Sequence, residues 1–150
     1  LNYNKEHRLL APQAAAMGAG VPAALAAKSI YPNRQVICFA GDGDFQMSAS
    51  ELGTAMQEGL NPIILIHNNG SYGTIRMHQE MRYPKRVSGT NLKNPNFKCI
   101  AEAYNFGYSK ITNLSEFKVA FEKAKTFDVG FIIEMLADIK DISPGKIIDL

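Results

Sequence analysis

The chain has 150 residues, 46% hydrophobic and 20% charged, the proportions of one soluble globular domain rather than a disordered or fibrous chain. A formal net charge of +2 is too small to argue for nucleic acid or an anionic membrane, and two cysteines, Cys38 and Cys99, build neither a disulfide framework nor a metal cluster. No apolar run reaches the length of a bilayer span and no secretory signal opens the chain, so a cytoplasmic protein without membrane or nucleic-acid partners is the expectation.

The first residue is Leu1 rather than methionine, which suggests a piece of a longer protein. Residues 18–30 are alanine-rich, carry Pro22 where a first helical turn tolerates it, and stop before Pro32, so a helix is expected there. Residues 36–40 form an apolar run that reads as a short buried strand, with Cys38 a small buried hydrophobe inside it. Ser48 and Glu51 match a capping box, and Leu52, Ala55 and Met56 repeat at helical spacing up to Gly59. A second apolar run, residues 63–67, predicts another strand, ended by His67 as a hydrogen-bonded core histidine. Met77 and Met81 lie one helical turn apart and read as core or lid packing, while the basic run 82–86 reads as a solvated loop.

Further along, Asn94 and Pro95 are expected to open a helix with Phe97, Ile100, Ala101 and Tyr104 on one face. Residues 108–111 are a weaker strand candidate. Asn113 can cap a helix whose stripe is Leu114, Phe117, Phe121 and Ala124, and residues 131–136 predict a buried strand interrupted only by Glu134. Strands alternating with helices of this length imply right-handed crossovers and a parallel sheet covered on both faces, in a single α/β domain over residues 1–150.

Ligands of such sheets bind beyond the carboxyl ends of the strands. The first strand runs into Gly41, Asp42, Gly43, Asp44 and Phe45, where glycines let the backbone approach a ligand and a following helix start offers N–H groups to a phosphate. Asp42 is a hard oxygen ligand for the cation that would neutralise it. The second strand ends in Asn68, Asn69, Gly70, Ser71, Tyr72 and Gly73, again a set of amide and carbonyl oxygens. Each segment alone is ordinary turn composition. Together, each closing a buried strand, they point to one site. The segment from Gly18 to Ala23 also fits G-x-G-x-x-A, but no strand precedes it, so the context for a dinucleotide fold fails.

With these residues in view the chain resembles the thiamine-diphosphate-dependent enzymes, in their diphosphate-binding domain. GDG followed after an interval by NN is that family's diphosphate–metal signature, and Asn69 lies 27 positions after Asp42, as in its acetolactate synthase and 2-oxo-acid decarboxylase branch. The resemblance extends upstream to residues 17–24 and downstream to Asn94 through Phe97 and residues 131–136. It implies a three-layer α/β/α domain with a mostly parallel sheet. By position, Asp42 and Asn69 would bind Mg2+ through side-chain oxygens and Ser71 through its main-chain carbonyl. Gly41 begins the diphosphate loop, and Gly43, Asp44, Tyr72 and Gly73 would offer N–H groups to the diphosphate. Met17 would wedge beneath the cofactor and bend it, the Ala15 carbonyl and Met17 N–H would face the aminopyrimidine, and Met47 would line its pocket. By location alone, following the second loop, Tyr72, Ile75 and Gln79 are candidates to shape a substrate pocket, while His78 is expected not to face it.

The resemblance also implies what is missing. The glutamate that activates the aminopyrimidine belongs to a separate pyrimidine-binding domain, from the same longer chain or a neighbouring subunit, so a homo-oligomer is expected and the domain alone is expected to be inactive. The implied activity is acetolactate synthase-like carboligation or decarboxylation of pyruvate-like 2-oxo acids. FAD is compatible with the resemblance, but no residue calls for it. Two departures stand out. Asp44 occupies a position where many relatives carry a small neutral residue, and its carboxylate would repel a phosphate unless it points outward or caps the next helix. Gly43 stands where acetolactate synthases proper often have alanine. Glyoxylate carboligation, decarboxylation of aromatic 2-oxo acids, a non-catalytic subunit that keeps the fold, and, lowest, an NAD-binding domain are the alternatives.

Overall fold

A computed structural model describes residues 6–143 and 146–147 of the chain. In chain order the elements are α1 (Gly20–Ile30), β1 (Ile37–Gly41), α2 (Asp42–Gln46), a 3-10 turn (Ala49–Glu51), α3 (Leu52–Gln57), β2 (Ile63–Asn68), α4 (Gly73–Arg82), α5 (Phe97–Ala103), β3 (Gly107–Ile111), α6 (Leu114–Lys125) and β4 (Phe131–Leu136), followed by a short antiparallel pair, β5 (Asp141–Ser143) and β6 (Lys146–Ile147). The four main strands form a parallel sheet in the order β1-β2-β4-β3, with Ile37, Ile63, Phe131 and Gly107 in register across it. All four expected strands are present.

The central strands are apolar on both faces, as a buried parallel sheet requires. On one face Cys38, Ala40, Ile64, Ile66 and Ile132 pack against Val21 and Leu25 of α1, Phe45, Leu52 and Ala55 of the α2–α3 region, and Phe97 and Ala101 of α5. On the other face Ile63, Leu65, Phe131, Ile133 and Ile111 pack against Ala120 and Ala124 of α6. Helices thus lie on both sides, giving the three-layer arrangement. Phe39 of β1 remains 58% exposed on the face that carries α6.

Three local expectations change. Ser48 makes no capping bond: its backbone (φ −137°, ψ 20°) is still turning out of α2, with its N–H on the Phe45 carbonyl at 3.2 Å, and its buried hydroxyl has no partner among the described residues. The stripe of α6 is shifted: Leu114 is 82% exposed, and Ala120 packs inward with Ala124. His67 is exposed rather than part of the core, since it lies past the end of the buried stretch of β2. Among the described residues no strand precedes Gly18, and no helix is long and apolar enough to cross a membrane.

Candidate functional site

β1 and β2 are neighbours, so the segments that follow them emerge side by side at the carboxyl edge of the sheet. Gly41 is the N-cap of α2, and Asp42, Gly43 and Asp44 are its first three residues. The Asp42 carboxylate is 2% exposed. One of its oxygens accepts from Gly43 N–H at 2.9 Å; the other accepts from Gly70 N–H at 2.8 Å and from Asn94 Nδ2 at 2.6 Å. The Gly70 contact joins the two loops that sequence reasoning paired.

Arg76 pairs with Glu80, Lys98 with Glu102, Lys110 with Glu134 and Lys125 with Glu122, and none of these ion pairs involves Asp42. A carboxylate this buried, held by N–H groups but in none of these ion pairs, is costly unless a cation joins it. Among the described residues no cluster of three His, Cys, Asp or Glu side chains could hold a metal. The donors near Asp42 are instead one carboxylate with amide and main-chain oxygens, a set of hard ligands that fits Mg2+ and not a thiolate- or imidazole-binding metal.

The second loop is held from behind. Ser71 is 3% exposed and donates its hydroxyl to the Thr90 carbonyl at 2.8 Å; it also bridges to Asn91 in antiparallel fashion. Leu92 N–H returns to the Gly70 carbonyl at 2.8 Å. Asn69 Oδ1 accepts from Ser71 N–H at 3.1 Å, an Asx turn that shapes the loop. Tyr72 N–H is bonded to the Thr90 carbonyl at 2.9 Å, so in this arrangement it is committed to the protein rather than pointed at an anion. Gly73 opens α4 so close to Asn69 that an added Cβ would sit 2.9 Å from Asn69 Nδ2.

Gly43 has a steric reason of its own. A Cβ there would lie 2.4 Å from Tyr72 Cε1 and 3.0 Å from Leu92 Cδ1, so the glycine leaves room for the tyrosine ring over the start of α2. Asp44 neither points outward nor caps a helix: its Oδ1 accepts from Gly18 N–H at 2.5 Å, tying the upstream glycine segment to α2. Gly18 has φ +83°, which an L side chain rarely adopts, and an added Cβ would meet Met47 Cβ at 3.0 Å. Ala15 also has a positive φ of 51°. Met17 and Met47, 42% and 53% exposed, therefore flank this tied-down turn with apolar surface open to solvent. Ile75 is 48% and Met81 65% exposed, and no residue of α4 is buried, so that helix presents its face rather than packing it.

Asn94 is the residue that sequence reasoning misplaced. The cap of α5 is Asn96, whose Oδ1 accepts from Lys98 and Cys99 N–H at 3.0 and 3.3 Å. Asn94 instead reaches inward to Asp42 and Asn68, and its own oxygen accepts from Gln46 Nε2 at 2.8 Å. An Asn-Pro pair before a helical pattern looks the same whether the asparagine caps or reaches away, so only the fold back of residues 90–92 along the second loop distinguishes the two. A groove lined by Ser109, Lys110, Glu116 and Lys123 lies between β3 and α6, away from these loops.

The family model described as thiamine pyrophosphate enzyme, C-terminal TPP binding domain, matches residues 1–135. The acetolactate synthase large subunit of Buchnera aphidicola subsp. Schlechtendalia chinensis is 37% identical over 138 residues, 89% of this chain and 24% of that protein. That of Lactococcus lactis subsp. lactis is 42% identical over 98 residues, 65% of this chain and 17% of that protein. Among solved structures, the thiamine diphosphate-dependent 4-hydroxybenzoylformate decarboxylase of Rhodococcus jostii RHA1 superposes with a TM-score of 0.76 at 30% identity, over 81% of this chain and 23% of that one. The chain thus spans about a quarter or less of the length of these relatives.

Proposed function

The chain belongs to the thiamine pyrophosphate enzymes as their C-terminal TPP-binding domain, and from that premise we propose that it holds the cofactor diphosphate through Mg2+ in a cytoplasmic, acetolactate synthase-like enzyme acting on pyruvate-like 2-oxo acids. The observation that carries this reading is the buried Asp42 carboxylate, bonded to Gly70 N–H of the second loop at 2.8 Å and, among the described residues, in none of the ion pairs.

Asp42 and Asn69 supply side-chain oxygens to the metal and Ser71 its main-chain carbonyl. Asp44 at the start of α2 and Gly73 at the start of α4 face the diphosphate with N–H groups, while Gly43, its N–H engaged by Asp42 Oδ1, shapes the turn. Tyr72, its N–H engaged by Thr90, acts through its ring over Gly43. Met17 and Met47 form the apolar wall against the organic part of the cofactor, and the Ala15 carbonyl accepts from its aminopyrimidine. When bound, thiamine diphosphate supplies the carbon nucleophile and the electron sink for decarboxylating a 2-oxo acid. Activation comes from a pyrimidine-binding domain in the longer chain or a second subunit, and the assembled enzyme is a homo-oligomer.

The test is calorimetric titration of thiamine diphosphate with and without Mg2+. Binding that needs the metal, and that is lost in Asp42→Ala while circular dichroism stays unchanged, is the expected result. Unchanged binding in that variant removes the metal assignment. In the complete enzyme, product analysis with pyruvate, glyoxylate and aromatic 2-oxo acids separates carboligation from simple decarboxylation.

A further inference from the structure

Glu134 is the one charged residue of β4, and it is 4% exposed in a strand otherwise made of apolar residues. Its Oε1 accepts from Asn68 Nδ2 at 2.7 Å and lies 3.6 Å from Lys110 Nζ, while its Oε2 accepts from the Tyr108 hydroxyl. Asn68 then turns its own oxygen toward the site, where Oδ1 accepts from Asn94 Nδ2 at 2.8 Å and from Gly70 N–H at 3.2 Å. Those two donors are also the ones that hold Asp42 Oδ2, at 2.6 and 2.8 Å. A continuous polar chain therefore crosses the sheet in spatial order, from Tyr108 and Lys110 on β3 through Glu134 on β4 and Asn68 on β2 to Asp42 at the end of β1.

We propose that Glu134 is a positioning residue for the Asp42 site: as a group that only accepts, it fixes which way the Asn68 amide points and so aims Asn94 and Gly70 N–H at the Asp42 carboxylate. An ionised carboxylate has no proton to donate, so Asn68 must offer it the NH2 group and keep its oxygen for the other side. With the amide inverted, NH2 would face the Asn94 NH2 and Gly70 N–H, donor against donor. Both would swing off Asp42, and the spacing of the two loops would change.

The ion pair alone does not account for a carboxylate here. Its cation partner Lys110 is half-exposed and 3.6 Å away, so that ion pair adds little, and the carboxylate acts chiefly as the acceptor for Asn68 and Tyr108. Groups that orient a metal site from behind, by contrast, commonly change metal affinity by about 10- to 100-fold when removed.

The inference rests on the thiamine diphosphate reading, and titration of the intact protein with thiamine diphosphate at a fixed, subsaturating Mg2+ concentration, alongside urea unfolding, separates the two. Glu134→Leu is expected to weaken cofactor binding by about tenfold or more and to lower the unfolding midpoint, because Asn68 and Tyr108 lose their acceptor. Glu134→Gln, which keeps an acceptor toward Asn68 and can donate to the Tyr108 oxygen, is expected to restore affinity to within about threefold of wild type. Asn68→Ala should weaken binding as Glu134→Leu does, and the double variant should lose nothing further, because the two act as one unit. Wild-type affinity in Glu134→Leu overturns the inference, as does a Gln variant as weak as the Leu variant. Should Glu134→Leu not fold, Asn68→Ala decides: a tenfold loss supports the inference and wild-type affinity overturns it. A wild-type protein that takes no thiamine diphosphate with Mg2+ overturns the cofactor reading itself, and this inference with it.

Discussion

Cys38 and Asp44 show how closely the first loop is packed onto the core. The Cys38 thiol, 4% exposed beneath α1, is pushed up from 9.0 to about 12, first by burial and then by the negative charge of Asp44. Gly20 lies against both: a Cβ there would be 3.2 Å from the sulfur and 3.5 Å from Asp44 Oδ2. In the unfolded chain the thiol ionises near its ordinary value, so between pH 9.0 and about 12 the unfolded state binds fewer protons and stability falls as pH rises. Urea unfolding at about pH 8 and about pH 11 should show a larger loss in the wild type than in Cys38→Ala, a difference that vanishes below the ordinary thiol pKa. In the native state at neutral pH, exposed Cys99 should react with iodoacetamide while Cys38 stays protected.

At the scale of elements, the helix starts divide into those that cap and those that serve the site. Asn113 caps α6 with its Oδ1 on Glu116 N–H at 3.0 Å, and Glu116 returns to Thr112 N–H at 2.7 Å. Asn113→Ala should cost about 1 kcal/mol of folding stability, read by urea unfolding, and leave Mg2+-dependent cofactor affinity unchanged because α6 covers the face away from the loops. Helix α2 behaves differently: it is only five residues long and starts at the buried Asp42 itself. Its packing comes from Phe45, fully buried and edge-on to Phe97 with ring centroids 5.6 Å apart, which anchors α2 to α5 directly beneath the site.

Across the whole molecule, the parallel sheet brings loops distant in sequence to one edge, and its own edges are unequal. Helix α6 reaches β3, β4 and part of β2, whereas β1 is an edge strand whose Phe39 is 58% exposed; among the described residues no strand pairs with its free side. An open strand edge with an aromatic side chain beside it is prone to pairing with other chains. The 150-residue chain is therefore expected to self-associate as concentration rises, and Phe39→Lys to reduce that association, as followed by static light scattering. Equal scattering from both proteins would remove Phe39 as the cause.

Periodicity and composition determined the class of fold: four apolar runs of strand length, separated by helical stripes, could bury their surface only as a covered parallel sheet. That the segments after two such runs meet, Gly70 N–H on Asp42 Oδ2, follows from their closing neighbouring strands. What tertiary structure alone decided were the polar contacts made across that framework. Nothing local distinguishes an asparagine that caps a helix, like Asn96, from one that reaches to Asp42, like Asn94. The same holds for Asp44, whose bond to Gly18 spans 26 positions, and for Glu134, which meets Asn68 across 66. Hydrogen bonds between side chains on different strands depend on the lateral order β1-β2-β4-β3, and that order is set by how the helices pack, not by any pattern within a single segment.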